Sequence, residues 1–262
     1  MSGLEFNYAT NGESPHVAFV LELSRQALLS YLTSPHPTPP TELTDGTKIH
    51  QLVGHSSKIT CIRLFGGGKA VLSGSADRSM KVWDISRNTY RQTTTLRHSS
   101  TCQSIDVASD SFTAVSGHLD GGLRLWDVRT GDRTADIVGL HDGGVTSVQF
   151  DLSNPGQVLT NGRDHSLKLI DVRTGAPVRT FRDPDFQTTY SWSACAMSPN
   201  GMYAASVSGT TGHLLVWRTS DARLIGKLHG HKAGGAGGVA WGACGGQQVA
   251  TVDRAGTLIL WA

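Results

Sequence analysis

Residues 71–84 read VLSGSADRSMKVWD, and the ending of this stretch returns along the chain at nearly regular intervals. The related endings are KVWDIS (81–86), RLWDVR (124–129), KLIDVR (168–173), LVWRTS (215–220) and LILWA (258–262). One marker position is shared by all five endings, and the steps between successive markers are 43, 44, 47 and 44 residues. The markers are Trp83, Trp126, Ile170, Trp217 and Trp261. The chain is therefore a tandem repeat of one structural unit.

Each repeat reads as a set of short strands. Residues 59–64, 70–73 and 80–83 are alternating or β-branched runs, separated by glycine, serine and aspartate turns. A histidine precedes the marker in four repeats, at His55, His98, His141 and His231. A period of about 40–45 residues with Gly-His and Trp-Asp punctuation is typical of a β-propeller blade. The sequence predicts an all-β propeller with five blades.

A polar chain is predicted inside three of these blades. An aspartate lies six residues before the marker and a hydroxyl residue four residues earlier still. Since buried polar groups must be satisfied, we expect histidine, hydroxyl, aspartate and indole to bond one another. A serine, histidine and aspartate also suggest a catalytic triad, but recurrence in three repeats favours a structural role, so no catalytic residue is predicted. The predicted members are His55, Ser73, Asp77 and Trp83; His98, Ser116, Asp120 and Trp126; and His141, Thr160 and Asp164.

The last two repeats depart from this pattern. Thr211 stands where the aspartate is expected in the fourth repeat, and Ala255 stands there in the fifth, with Asp253 two residues early. We expect both blades to lack the full polar chain and to be held mainly by apolar packing.

The repeats resemble the WD40 family over residues 52–262. The order of details, including Ile170 in a tryptophan slot and Trp192 in the next repeat, resembles the C-terminal propeller of the autophagy-related protein 16 family. That propeller has seven blades, two more than are recognised here. The resemblance implies a non-catalytic scaffold in autophagosome assembly, which helps to direct ubiquitin-like lipidation to membranes. It implies a cytoplasmic protein, recruited to the autophagosome precursor, with the conjugation complex as partner. The alternative is a generic WD40 adaptor, such as a ubiquitin-ligase substrate receptor or an RNA-processing scaffold.

Composition restricts the partner classes. The 262 residues carry 23 Lys+Arg and 21 Asp+Glu, for a net charge of +2, so general nucleic-acid binding is not expected. No cysteine or histidine spacing predicts a metal site, and the glycine runs lack the lysine of a phosphate loop, so no cofactor or small-molecule substrate is expected. The expected partners are proteins or peptides. Five arginines suggest either solvated charges or contact with anionic lipid headgroups or acidic peptides: Arg124, Arg129, Arg133, Arg173 and Arg179.

Domain organisation and the binding surface complete the predictions. Residues 1–47 form an extension containing a proline-rich linker, and residues 48–262 form the propeller. Candidate partner-binding residues on blade-edge loops are Lys58, Arg78 and Arg163.

The final repeat ends one strand short of four, so we expect an open or strained ring. Residues 48–52 are predicted to pair with residues 258–261, and residues 17–23 are the competing candidate.

Overall fold

All regular elements of the described chain are β-strands, arranged in five antiparallel sheets. The structure is a computed structural model, and it describes residues 52–86, 90–232, 234–242 and 248–262. The all-β class and the division into propeller blades are confirmed. The predicted extension 1–47 lies outside the described residues. No helix in the described ranges is long and apolar enough to cross a membrane.

The first four blades have four strands each, and the fifth has three, all in meander order. The strands predicted at 59–64, 70–73 and 80–83 end within two residues of their observed bounds. The blades comprise, in order, β1 (Ile59–Phe65), β2 (Ala70–Ser75), β3 (Ser79–Asp84) and β4 (Arg91–Arg97); β5 (Cys102–Val107), β6 (Thr113–His118), β7 (Leu123–Asp127) and β8 (Arg133–Ile137); β9 (Val145–Phe150), β10 (Gln157–Gly162), β11 (Ser166–Asp171) and β12 (Pro177–Phe181); β13 (Cys195–Met197), β14 (Tyr203–Val207), β15 (Leu214–Arg218) and β16 (Leu224–Leu228); and β17 (Ala236–Trp241), β18 (Val249–Asp253) and β19 (Leu258–Trp261).

The core lies between neighbouring blades. Trp126 on the third strand of the second blade is 2% exposed and packs against Leu72 and Met80 of the first blade. Trp217 occupies the same place between the third and fourth blades, against Leu159 and Phe181. Alternation along each strand sends one set of apolar side chains toward each neighbour, so a blade is stable only when both faces are covered.

The described blades form an open row. Extensive packing joins each blade to the next, and among the described strands none of comparable extent joins the fifth to the first. Leu258 and Leu260 on β19 are 58% and 66% exposed, whereas Met80 and Val82, at the same distances from their marker, are buried. Of the segment predicted to pair with β19, residues 48–51 lie outside the described ranges, as does the competing segment 17–23. Leu52 packs within the first blade, beside Trp83.

Candidate functional site

The polar chain of the first blade joins two of its four strands, β2 and β3, and the turn between them to the connection before β1. His55 Nδ1 lies 2.8 Å from Asp77 Oδ2, and His55 Nε2 lies 2.7 Å from Ser73 Oγ. The indole N–H of Trp83 donates to Ser73 Oγ at 2.8 Å. Ser73 is fully buried. Its hydroxyl therefore has no access to a substrate, and the arrangement stabilises the blade rather than activating a nucleophile.

The protonation states of this chain suit a structural role. Burial lowers the pKa of His55, although the neighbouring Asp77 opposes that shift. Burial alone would raise the pKa of Asp77, but hydrogen bonds from Ser79, His55 and the Ser56 N–H bring it down to about 2. At neutral pH the pair is a neutral imidazole beside a carboxylate, and both ring nitrogens are engaged.

The third blade forms the same contacts without an indole. His141 Nδ1 lies 2.9 Å from Asp164 Oδ1, and His141 Nε2 lies 2.9 Å from Thr160 Oγ1. Ile170 fills the marker position and is fully buried. The Thr160 hydroxyl donates to the backbone carbonyl of Lys168 at 3.1 Å and accepts no indole N–H. The histidine and aspartate thus fit together even when the marker is apolar.

The second blade departs from the prediction. Trp126 Nε1 donates to Ser116 Oγ at 2.8 Å, but the ring bonded to that hydroxyl, also at 2.8 Å, belongs to His118 and not to His98. His98 bonds the Ser100 carbonyl through Nδ1, and its ring packs edge-on against His118. The prediction of His98 in this chain was wrong because Ser116 and His118 are two residues apart on β6 and therefore point to the same face.

Asp120 in the second blade also has a different partner from the one predicted. Arg124 on β7 is buried, and its Nη2 lies 2.7 Å from Asp120 Oδ2. A second carboxylate, Asp136 Oδ1, lies 3.3 Å from Arg124 Nε. A buried guanidinium requires a counter-charge, so Arg124 pairs with Asp120. The aspartate at the equivalent position of the first blade bonds a histidine instead.

The fifth blade contains a full polar chain, against expectation. His231 Nδ1 lies 3.0 Å from Asp253 Oδ2, and His231 Nε2 lies 2.6 Å from Thr251 Oγ1. Trp261 Nε1 donates to Thr251 Oγ1 at 2.9 Å. The expectation placed the aspartate six residues before the marker, whereas Asp253 reaches the histidine from eight residues before it. The missed signal was Thr251, which precedes Trp261 by the same ten residues that separate Ser73 from Trp83.

Thr251→Val should therefore lower the free energy of unfolding by about 1–3 kcal/mol, because the substitution leaves the His231 ring nitrogen and the Trp261 indole N–H without their shared partner. Chemical denaturation monitored by circular dichroism measures the change. The control is Thr257→Val, since Thr257 is exposed and its side chain does not belong to the polar chain of the fifth blade. Equal losses for the two variants would contradict a structural role of the fifth polar chain.

The fourth blade lacks a polar chain, as expected. Trp217 is fully buried, and its indole Nε1 has no hydrogen-bond partner within the described ranges. Its ring packs edge-on against Phe186, with centroids 5.2 Å apart, and against Phe181 at 6.3 Å. Apolar packing therefore replaces the polar chain at this position.

The three candidate binding residues lie on one edge of the blades, which we call the turn face. It consists of the turns between the second and third strand of each blade and the connections that lead into each first strand. Arg78 and Arg163 lie in such turns, and Lys58 lies in the connection before β1. All three are exposed. Their role in binding stays a prediction.

An exposed aromatic group on the turn face was missed as a site, although Trp192 had been noted as a marker of resemblance. Tyr190 and Trp192 stack with ring centroids 4.6 Å apart at an interplanar angle of 12°, and Trp192 is 50% exposed. The Arg254 guanidinium lies 5.3 Å from the Trp192 ring centroid. Arg163 Nη2 donates to the Thr189 carbonyl at 3.2 Å, beside Tyr190. We call Arg163, Tyr190, Trp192 and Arg254 the Trp192 cluster.

The Trp192 cluster is held between the fourth and fifth blades. Its two aromatic residues lie in residues 182–194, the connection from β12 to β13, within the repeat that has the longest marker step. The Tyr190 hydroxyl donates to the Gly234 carbonyl at 2.7 Å, and the Ala194 N–H donates to the Gly237 carbonyl at 2.6 Å. A Cβ on Gly237 would lie 3.0 Å from the Trp192 ring. Glycine there allows the indole to lie against β17 with its other surface in solvent.

The arginines considered as a membrane patch are largely neutralised by aspartates. Arg129 Nη2 lies 2.6 Å from Asp127 and Arg133 Nη1 lies 2.7 Å from Asp136, while Arg124 is buried. Arg173 Nη2 lies 3.6 Å from Asp171, whereas Arg179 bonds only the carbonyls of Val178 and Ser220, so one of the five arginines has no carboxylate partner among the described residues.

Other reactive groups in the described chain lack an accessible chemistry. Burial raises the pKa of the Cys195 thiol to about 12, and burial likewise raises the pKa of Cys102. Such thiols are poor nucleophiles. No group of three or more His, Cys, Asp or Glu residues in the described ranges is placed to hold a metal ion.

Comparison with known proteins finds one matching family model and several similar proteins. The family model for the WD domain, G-beta repeat matches residues 46–84 and 90–127. Protein tipD of Dictyostelium discoideum is 35% identical over 71% of this chain and 29% of its own length. Autophagy-related protein 16 of Arabidopsis thaliana is 32% identical over 70% of this chain and 35% of its own length. Protein Atg16l2 of Mus musculus is 30% identical over 60% of this chain and 24% of its own length. The matched region thus spans about a third or less of each relative.

Proposed function

We propose that this chain, a WD40-repeat β-propeller similar to autophagy-related protein 16, is a non-catalytic protein-docking scaffold that acts in autophagosome assembly. The observation that carries the proposal is the Trp192 cluster. A tryptophan that is 50% exposed, stacked on a tyrosine and backed by a strand, is an ordered apolar surface. Tryptophan, tyrosine and arginine are the residues that most often dominate the binding energy of protein interfaces.

The non-catalytic part of the proposal rests on the geometry of the polar chains. The side chain of each histidine next to an aspartate and a hydroxyl is at most 2% exposed, and the hydroxyl is buried in the first, third and fifth blades. The same set recurs at equivalent places, as a structural element would and a single active site would not.

The autophagic part rests on the relatives. Of the three relatives described above, one is named Autophagy-related protein 16 and another Protein Atg16l2, and their matches cover 70% and 60% of this chain. By analogy, the propeller works in the cytoplasm at the autophagosome precursor and helps to direct ubiquitin-like lipidation there. This step is an inference from similarity and belongs to the proposal.

Disruption of the gene should reduce the number of autophagosomes formed on starvation, and the wild-type gene should restore it. Trp192→Ala should fail to restore it, because the variant removes the exposed anchor without opening the core. The control is Phe112→Ala, an aromatic that is 46% exposed in the β5–β6 turn, at the opposite edge of the blade. Autophagosomes are counted by electron microscopy. Normal numbers in the disrupted cells would refute an autophagic role and favour a general WD40 adaptor.

A further inference from the structure

Two guanidinium groups of the Trp192 cluster lack a carboxylate partner. Arg163 bonds only a backbone carbonyl through its side chain, and Arg254 lies over an indole ring. Neither forms an ion pair with a described residue, in contrast to Arg124 and Arg129. Both side chains are exposed on the turn face. The cluster therefore presents unneutralised positive charge on either side of an aromatic surface.

The same cluster offers unused hydrogen-bond donors. These donors are those of the arginines, because Trp192 Nε1 lies against β17, 3.1 Å from the position of a Cβ on Gly237, and the Tyr190 hydroxyl is occupied by the Gly234 carbonyl. Arg163 uses one nitrogen for the Thr189 carbonyl, which leaves further N–H groups facing solvent. Donors without acceptors, next to an exposed apolar ring, match a ligand that supplies carboxylate oxygens and an apolar group together.

We infer that the Trp192 cluster binds an acidic peptide segment of a partner protein. Carboxylates of the segment pair with Arg163 and Arg254, and an apolar side chain of the segment lies on the Trp192 ring. The inference rests on the proposed docking function and specifies the chemistry of the partner. Charge complementarity of this kind sets which partners are accepted and how fast they associate.

The surrounding charges favour a peptide over a membrane surface. Four exposed cationic side chains lie on the turn face of the third to fifth blades, Arg163, Arg182, Lys232 and Arg254, together with the exposed carboxylates of Asp142 and Asp185, so these exposed charges sum to only +2. Binding to anionic lipid headgroups is typical of clusters of about four to eight lysines or arginines. An aromatic anchor between two arginines suits a single segment with a few carboxylates better than a continuous anionic plane.

A library of short random peptides tests the inference directly. The library is selected on the wild-type chain, on the double variant Arg163→Glu/Arg254→Glu, and on the control Arg223→Glu. Arg223 is exposed in the β15–β16 turn, at the opposite edge of the blade. Peptides selected on the wild type should be enriched in Asp and Glu. Their affinity, measured by fluorescence anisotropy, should fall at least about tenfold for the double variant and stay unchanged for the control.

Several outcomes would overturn the inference. They are selection of no peptide, peptides without acidic enrichment, or equal affinity for the double variant. Loss of binding to phosphatidylserine vesicles, without loss of peptide binding, would assign the arginines to a membrane instead. Unchanged melting temperatures show that the double variant is folded. If acidic peptides do not bind while cells still require Trp192 for autophagosome formation, the docking function is retained. Only the specificity for acidic segments is then refuted.

Discussion

Trp126→Ala is expected to lower the free energy of unfolding by about 3–5 kcal/mol, a large part of the stability of a single domain. The indole is 2% exposed and lies between the first and second blades, against Leu72 and Met80. Its removal opens a cavity at a blade interface that cannot collapse, because the strands on both sides are fixed by their sheets. It also removes the N–H that Ser116 Oγ accepts at 2.8 Å. Denaturant unfolding monitored by far-ultraviolet circular dichroism gives the value.

Two matched variants separate the causes of this loss. Trp126→Phe keeps most of the packing and removes the hydrogen bond, so it should cost about 1–2 kcal/mol. Trp192→Ala removes an indole that is 50% exposed and should cost less than about 1 kcal/mol. A loss below about 1 kcal/mol for Trp126→Ala would show that the second blade does not depend on its marker.

Acidification is expected to destabilise the protein well before its carboxylates titrate. The second blade encloses His118, which is fully buried. Burial first, and then the positive charges of His98 and Arg124, lower the pKa of His118 to about 3, although Asp120 opposes the shift. Its Nδ1 has no hydrogen-bond partner among the described residues, so a proton there would be buried without an acceptor.

The direction and size of this pH dependence follow from the difference in proton binding between the folded and the unfolded chain. Below pH 6.5 the unfolded chain binds a proton at His118 that the folded chain does not, so stability is full above that pH and declines as the pH falls toward 3. The loss is about 1.4 kcal/mol per pH unit, on the order of 4 kcal/mol over the full range. Burial lowers the pKa values of His55 and His98 as well, which adds loss in the same direction below pH 6.5.

His118→Gln is the informative variant for this pH dependence. Glutamine can still reach Ser116 but does not titrate, so the slope of stability against pH should fall by about 1 kcal/mol per unit between pH 6 and 4. Thermal unfolding across that range measures the slope. The control is His165→Gln, since His165 is exposed in the β10–β11 turn. A slope unchanged by His118→Gln would mean that this ring takes up its proton in the folded state.

The repeat could be predicted from the sequence because its cause is local. Strand alternation, turn residues and the spacing of Trp83, Trp126 and Trp217 depend only on neighbours along the chain. These features were sufficient for the all-β class, the blades and the bounds of the first three strands to within two residues. The polar chains of the first and third blades were predicted for the same reason, since their members keep a constant offset from the marker.

The same reasoning failed where residues from different strands compete for one partner. In the second blade His118, rather than His98, bonds Ser116, because strand register and a buried Arg124 decide which ring enters the interior. In the fifth blade Asp253 reaches His231 from a different offset, through a turn of different shape. The spacing of residues along the chain does not predict which of these hydrogen-bond partners are chosen. The pairing depends on three-dimensional distance and on the balance of buried charge.

The sequence alone determined what this protein is built from: five repeats of short strands, with regularly placed apolar markers of which the first four are buried. Only the tertiary structure decided what the protein can present to a partner. Arg163, Trp192 and Arg254 come from three different blades, and nothing in their spacing along the chain relates them. They meet because packing of the third, fourth and fifth blades brings their turns to one face, so the Trp192 cluster is a product of the interfaces between repeats and not of any single repeat.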